Sequence, residues 1–494
     1  MSETAGGTSG QPGTPADGAH AAHRADAAHP GGVAGGGDVV NRDRDHGPHG
    51  DGPTGTTTGT AAGTTGTAAG TTGTAAHPYA LHPHEESLAD WEESVEATIE
   101  ETVVDERADV RKQPLAVWVT AAAAVFAFMG IGLVDPILPA IATNLDATSS
   151  QVSLLFTSYF LVTAVMMLVT GAISSRIGAK KTLLVGLAVI VIFAALSGLS
   201  PSVSQLVGFR AGWGVGNSLF VATSLAVIVA VASGGRAVAI IVYEAALGLG
   251  MAVGPLVGAL LGGIHWRAPF FGVGVLMFVA FVVLLVKLPT IPKPDKPTSV
   301  IDPLRALTHP GLFGVSLSAL FYNFGFFTIL AFTPFILGFG PYGIGAVFFG
   351  WGVALALFSV VVAPIIQNRL GTVNTTLVTL VGLIVLLVLL AVFHDTRPVV
   401  IVLVVISGAL LGVNNTMYTE MAMSVSDAPQ PVASAGYNFV RWLGGAIAPF
   451  VATSLGEAAG PVLPYSTAAV VVFIAGVVMV GARNAVEVHE PDHV

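Results

Sequence analysis

LAVWVTAAAAVFAFMGIGLVDPILPAI, residues 115–141, is the stretch on which the fold turns. It carries one charged side chain, Asp135, in 27 residues, and at 1.5 Å per residue a helix of that length crosses a hydrocarbon layer of about 30 Å. A backbone in lipid must satisfy its own N–H and C=O groups, so a continuous apolar run is read as a spanning helix. Eleven further runs are centred in 151–173, 180–200, 203–231, 236–262, 267–288, 311–338, 343–366, 372–393, 397–421, 430–456 and 465–483. The composition agrees: 10% of residues are charged, where a soluble chain carries roughly 25%. An all-α membrane protein with twelve transmembrane helices is predicted.

The loops between the spans give the orientation. One set collects Arg111, Lys112, Arg176, Lys180, Lys181, Arg236, Lys287, Lys293, Lys296, Arg305, Arg369 and Arg483, while the other holds only Arg267 and Arg397. The positive-inside rule then places both termini in the cytoplasm of a multi-pass plasma-membrane protein, and Ala, Gly and Val usage suggests a prokaryote. The longest loop, PTIPKPDKPTSVIDPLRALTHP (289–310), divides the spans into a bundle over 113–288 and another over 311–485, followed by a short tail, 486–494. With no cysteine, disulfides, thiol nucleophiles and thiolate metal sites are excluded.

An internal repeat supports two six-helix halves. GAISSRIGAKK (171–181) matches APIIQNRLGTV (363–373), aligning Arg176 with Arg369 and Gly178 with Gly371. VYEAALGLGMAVGP (242–255) matches GYNFVRWLGGAIAP (436–449), aligning Tyr243 with Tyr437 and Pro255 with Pro449. The offsets are 193 and 194, and halves related in this way imply a binding site at their interface near the membrane midplane, reached alternately from either side.

Ahead of the spans, residues 1–84 are rich in Gly, Thr, Ala, Pro and His and contain the repeat GTAAGTT from Gly59 to Thr72. Such a segment buries too little apolar surface to offset its ordering entropy, so a disordered tail is expected, its eight histidines solvated rather than metal-binding. Residues 85–112 hold eleven acidic side chains between Glu85 and Asp109, with Leu88, Trp91, Val95, Ile99 and Val103 on one helical face. This is read as an acidic juxtamembrane helix, resting on the protein's own surface or docking a partner. Residues 1–112 carry net charge −12 and the rest +2, so the acidic balance belongs to this N-terminal region. No signal peptide is expected, since no basic segment precedes the first apolar run.

At these motifs the chain resembles the major facilitator superfamily, from about residue 113 to 485. GAISSRIGAKKTLLVG (171–186) is similar to that family's loop motif between its second and third helices, here carried by Gly171, Arg176, Gly178 and Lys180. LVGFRAGWGVG (206–216) resembles the fourth-helix motif with its intramembrane arginine, Arg210. GLGMAVGPLVGALLGG (248–263) is similar to the antiporter motif of the fifth helix, with Gly250, Gly254, Pro255 and Gly258, and VDPILPAI (134–141) to the first-helix motif of the drug:proton antiporter branch. YEAALGLG with YNFVRWLGG further resembles bacterial multidrug and siderophore exporters. Three positions depart from the pattern: Ser175 stands where an acidic residue is usual, Ala179 where a basic one is, and Ala259 where a glycine is. The first implies that the loop's charge network is weaker or uses other partners.

Charged groups inside a span cost roughly 2.5–3.5 kcal/mol on insertion scales and persist where they face a cavity or a partner. Asp135 and Arg210 lie about 10 Å deep from the same side by helical rise and are placed to pair. The pair either fixes packing permanently or, if Arg210 engages Asp135 in only one state, makes a proton site. Glu244 lies roughly 12 Å deep from the other side, pointing away from the Gly250, Gly254 and Gly258 ridge. It suits proton carriage or attraction of a cationic substrate; snorkelling to the interface is the plain alternative. Arg441, one turn beyond Asn438, is expected across the cavity from Glu244, as an interhelix clamp or an anion-recognition group. Tyr159, Tyr243, Tyr322, Asn323, Phe326, Phe327, Tyr418, Tyr437, Asn438 and Trp442 are candidate lining residues of a greasy, polyspecific pocket.

The sequence offers no nucleotide-binding loop, no HExxH motif and no convergent catalytic cluster, so neither an enzyme nor a cofactor or metal dependence is expected. The expectation is a secondary transporter, acting as a monomer in the bilayer without nucleic-acid partners, that exports small amphipathic molecules in exchange for protons. Proton-coupled uptake of a small organic nutrient is the alternative, with Arg441 on a substrate anion; a membrane-embedded sensor fits less well.

Overall fold

The computed structural model describes residues 112–233, 235–293 and 297–487. The tail, the acidic helix expected before Lys112, the basic residues Arg111 and Lys296, and residues 488–494 lie outside the described residues. Among the described residues twelve helices are long and apolar enough to cross a membrane: α1 (Leu115–Asn144), α2 (Ser149–Ile177), α3 (Ala179–Leu199), α4 (Val203–Val231), α5 (Ile241–Gly262), α6 (Ala268–Lys287), α7 (Pro310–Leu337), α8 (Pro341–Leu370), α9 (Thr372–Val392), α10 (Arg397–Ser424), α11 (Pro431–Ala459) and α12 (Val462–Val486). A short helix, Asp302–Ala306, lies in the central loop. No strand occurs among the described residues.

Local chemistry sets the ends. Thr148 and Gln151 form a reciprocal capping box at the start of α2, with bonds of 3.2 and 3.0 Å, which satisfies two donors left free by the first turn. Gly178 joins α2 to α3 at φ 95°, and its repeat counterpart Gly371 joins α8 to α9 at φ 76°, a backbone region open to glycine. α1 is interrupted by a 3₁₀ turn, Asp135–Ile137, where Pro136 removes a donor, so the charged residue sits at a helix break.

The packing repeats as the sequence does. In the first half α1 packs on α5, α2 on α4, and α3 on α4 and α6; in the second α7 packs on α11, α8 on α10, and α9 on α10 and α12. The halves meet along two repeat-related seams, α2 with α11 and α5 with α8. Large apolar side chains exposed on the perimeter, such as Val275, Val286, Phe473 and Val480, suit contact with acyl chains.

The α5–α8 seam is built from small residues. A methyl on Gly352 would meet the Ala252 backbone, and one on Gly248 would lie 3.1 Å from the Ala356 methyl. Ala259 belongs to the same seam, facing Gly345 of α8 rather than α1. Its departure from the glycine pattern is thus matched by a glycine across the interface.

The α2–α11 seam is polar at the end bearing the α1–α2 and α11–α12 loops. Glu457 of α11 accepts hydrogen bonds from Ser149 Oγ (2.7 Å), Ser150 N (2.7 Å) and Ser150 Oγ (2.8 Å), so a carboxylate of one half caps the first turn of a helix in the other. Ser153 and Thr453 share a buried hydrogen bond of 2.7 Å one turn deeper. The last third of α1 also touches α7 and α8, so the halves are closed at this end.

That clamp must break whenever this end opens. Glu457→Gln is expected to speed alkylation of the otherwise buried position 153, in a Ser153→Cys background without competing thiols, by about fivefold if the lost charge is worth about 1 kcal/mol. An unchanged labelling rate would show that the contact does not hold the ends together.

At the opposite end the central loop is tied to the α2–α3 turn. Lys293 Nζ donates to Arg176 O (2.6 Å), Lys180 Nζ to Leu288 O (2.5 Å) and Thr298 N to Ser175 Oγ (3.1 Å). Gly171, at the start of this motif, faces Thr298, and Gly178 faces Lys293. The loop motif is held by backbone carbonyls and a serine, and Ser175 takes a backbone amide where an acidic residue was expected from the family pattern.

Candidate transport site

Two charged clusters lie within the spans, one inside the first half and one on α11 of the second. In the first, Arg210 of α4 is fully buried, with its guanidinium carbon 4.5 Å from the centre of the Tyr159 ring and 4.7 Å from that of Trp213. Such cation–π contacts are worth about 2 kcal/mol when desolvated. Among the described residues its one hydrogen bond is long, Nη1 to Gly130 O at 3.5 Å, and Nε and Nη2 have no partner. Asp135 is 1% exposed and neither carboxylate oxygen has a partner. The two charges act on each other, but no ion pair joins them among the described residues, so the direct pairing open to the sequence is not formed in this arrangement.

The second cluster centres on Arg441 of α11, 8% exposed. Its guanidinium is held by Asn415 Oδ1 from α10 and lies over the rings of Trp442 (5.4 Å) and Tyr437 (5.7 Å), while Nε has no partner. Asn323 of α7 fixes the backbone beneath it, donating to Arg441 O at 3.0 Å. Glu244 of α5, in the other half, is within electrostatic reach of Arg441, yet no ion pair joins them, and its buried Oε2 has no partner. Tyr243 meets Phe128 edge-on at 5.7 Å.

Aromatic rings connect the clusters. Tyr159, on which Arg210 stacks, is edge-on to Phe160 at 5.1 Å; Phe160 in turn stacks across the α2–α11 seam on Trp442 at 5.1 Å and 11°. Phe160 also meets Phe327 of α7 at 4.3 Å, and the series continues through Phe326, Tyr322 and Tyr418. Tyr322 donates to Leu411 O at 3.0 Å and Tyr418 bonds Ser318 at 2.6 Å, so both hydroxyls are used in holding α7 to α10.

Of the residues singled out in the sequence, Asp135, Arg210 and Tyr159 come together in one cluster. Arg441, Tyr437, Asn323 and Trp442 come together in the second, faced by Glu244. Asn438 does not join it: its amide bonds Ser434 O (3.0 Å) and Oγ (3.2 Å) on its own helix. Sequence reasoning missed Phe160, Asn415 and Trp213. Asn415 had a signal, an Asn-Asn pair inside an apolar span, whereas Phe160 is indistinguishable in sequence from the other phenylalanines.

The glycine ridge bears on the first cluster. A methyl at Gly250 would lie 2.6 Å from Val125 O, one at Gly254 2.7 Å from Met129 O, and one at Gly258 closer still to Leu133 O. Pro255 Cδ lies 2.9 Å from where a Gly132 methyl would stand. The ridge holds α5 backbone to backbone against α1 up to its break at Asp135.

Two repeated six-helix halves that meet along paired seams and carry buried charges within their spans have the architecture of a membrane transporter. The chain belongs to the major facilitator superfamily, whose model matches residues 120–449. It is 50% identical over 383 residues to the multidrug efflux protein YfmO of Bacillus subtilis, covering 78% of this chain and 97% of that one. Over 177 residues it is 32% identical to the tetracenomycin C resistance and export protein of Streptomyces glaucescens, covering 34% and 33% of the two chains. A bacterial homologue of the human lysosomal transporter Spinster, in an inward-facing, unoccupied conformation, shares the fold with a TM-score of 0.64 at 14% identity, covering 78% of this chain and all of that one. The human organic anion transporter MFSD10 shares it with a TM-score of 0.58 at 18% identity, covering 74% of this chain and all of that one.

Proposed function

We propose that this protein is a drug exporter of the cell membrane, moving small amphipathic molecules outward in exchange for protons. The observation that carries export is its 50% identity to a multidrug efflux protein over nearly that protein's whole length. Exchange for protons is supported by Asp135 and Glu244, acidic side chains deep in spans with buried carboxylate oxygens that have no partner. An intramembrane carboxylate without a counterion is a group whose proton occupancy changes with its surroundings. In this reading Asp135 exchanges its proton for contact with Arg210 as the halves rock, and both termini face the cytoplasm in a monomer. The aromatic series supplies an apolar surface that tolerates varied substrates, and Glu244 and Arg441 supply orientation.

The test is uptake of a fluorescent amphipathic cation into everted vesicles. An imposed pH gradient without ATP is expected to drive accumulation, and nigericin to abolish it. Accumulation that needs ATP, or that survives collapse of the gradient, would overturn the exchange reading.

A further inference from the structure

We propose that the site between Glu244 and Arg441 selects flat aromatic zwitterions, with the substrate's ammonium on Glu244 and its carboxylate on Arg441. The inference rests on the export reading and names the substrate class of that same site.

Three features converge here. First, the two charges come from opposite halves, Glu244 on α5 and Arg441 on α11, and stay unpaired although each has a buried polar atom without a partner, Oε2 and Nε. Paired directly, they would neutralise each other and leave nothing to recognise. Held apart, they present a negative and a positive pole that a dipolar guest can bridge. Second, Arg441 is positioned rather than free: Asn415 holds the guanidinium and Asn323 the backbone below it, which keeps the fork from swinging across to Glu244. A fixed, planar guanidinium suits the two oxygens of a carboxylate. Third, the ground beside Arg441 is aromatic, its guanidinium lying over the Trp442 ring. Phe160 and Trp442 are nearly parallel across the α2–α11 seam, and both meet Phe327, so parting the halves opens a slot with ring faces on either side. A flat ring in that slot keeps the stacking that the two side chains lose.

A cation alone would satisfy Glu244 and leave Arg441 buried without its counterion, and an anion alone would do the reverse. Leaving a buried charged group unmatched is what makes a polar site discriminate strongly. Asn415 is therefore a positioning residue, and its loss is expected to act on the carboxylate end of the substrate alone.

The test uses purified full-length protein in nanodiscs and a matched probe set titrated calorimetrically. The probes are aminomethyl-naphthoic acid, whose charges sit at opposite ends of a flat ring system, its cationic methyl ester, its anionic N-acetyl derivative, and the aliphatic zwitterion aminomethyl-cyclohexanecarboxylic acid. The first is expected to bind about tenfold or more tighter than the ester and the N-acetyl derivative, the scale of one lost charge-assisted contact, and roughly several-fold tighter than the aliphatic zwitterion, which loses only ring stacking. Arg441→Gln and Asn415→Ala should erase the advantage of the acid over its ester, and Glu244→Gln its advantage over the N-acetyl form. If Arg441→Gln does not fold, Arg441→Lys, which keeps the charge without the fork, should reduce the same advantage in part. Equal affinity for all four probes, or variants that weaken all four alike, would overturn the inference. If the cationic dye still accumulates with the pH gradient in vesicles, only this inference falls; if wild-type protein moves no amphipath, the export reading falls with it.

Discussion

Asp135→Asn is expected to bind substrate as the parent does yet fail to accumulate it against a gradient. The side chain sits at the break in α1, 1% exposed, with no donor to either oxygen and the cation–π-held Arg210 as the charge that acts on it. Asparagine preserves shape and the 3₁₀ turn but cannot take up or release a proton. Each proton exchanged down one unit of pH supplies about 1.4 kcal/mol, or about tenfold in accumulation. With two pH units imposed, a one-proton exchanger therefore concentrates substrate about hundredfold, and the variant is expected to equilibrate it without concentrating it. Vesicle accumulation ratios alongside binding titrations check both halves of the statement. A concentrating Asp135→Asn variant would remove Asp135 from the coupling path.

Gly254→Val is expected to abolish transport while the chain still inserts into the membrane. Even a single methyl at this position would lie 2.7 Å from Met129 O and 3.3 Å from Met129 Cα, backbone atoms that cannot rotate away. A valine must push α1 from α5, and overpacking of this kind costs about 1–3 kcal/mol where neighbours can adjust, and more where they are main chain. The displacement falls directly on the Asp135 break, so function suffers beyond the lost stability. Gly254→Ala should be intermediate, and thermal melting of the purified variants orders the three. Wild-type transport by Gly254→Val would show that this face of α5 does not need close approach.

The architecture was legible because membrane spans are a length-and-composition signal. Each span needs about twenty apolar residues whatever it packs against, and the repeat aligning Gly178 with Gly371 reappears as two helix junctions of positive φ. The glycines of α5 were legible for a similar reason, since only close backbone approach explains that spacing inside a span. Side-chain partnerships were not. Depth along a helix suggested that Asp135 and Arg210 would meet, but rise per residue fixes height and not azimuth, and Arg210 stacks on Tyr159 and Trp213 instead. Asn438 aligned with Glu244 in the repeat, yet it bonds back to its own helix. Phe160 stacks across one seam between the halves and is one of 26 phenylalanines, nothing in its sequence setting it apart. The Glu457 clamp lay beyond any periodicity, because it joins residues some 307 positions apart through a helix start.

The central claim, that substrate leaves in exchange for protons held on intramembrane carboxyls, is tested most directly by proton release on substrate binding. Purified protein in weakly buffered detergent solution with a pH indicator receives a saturating amphipathic cation. Wild-type protein is expected to acidify the solution, Asp135→Asn or Glu244→Gln to acidify it less, and the double variant not to acidify it even at cation concentrations raised until it too is saturated. Undiminished proton release from the double variant, or none from the wild type at saturation, would contradict it.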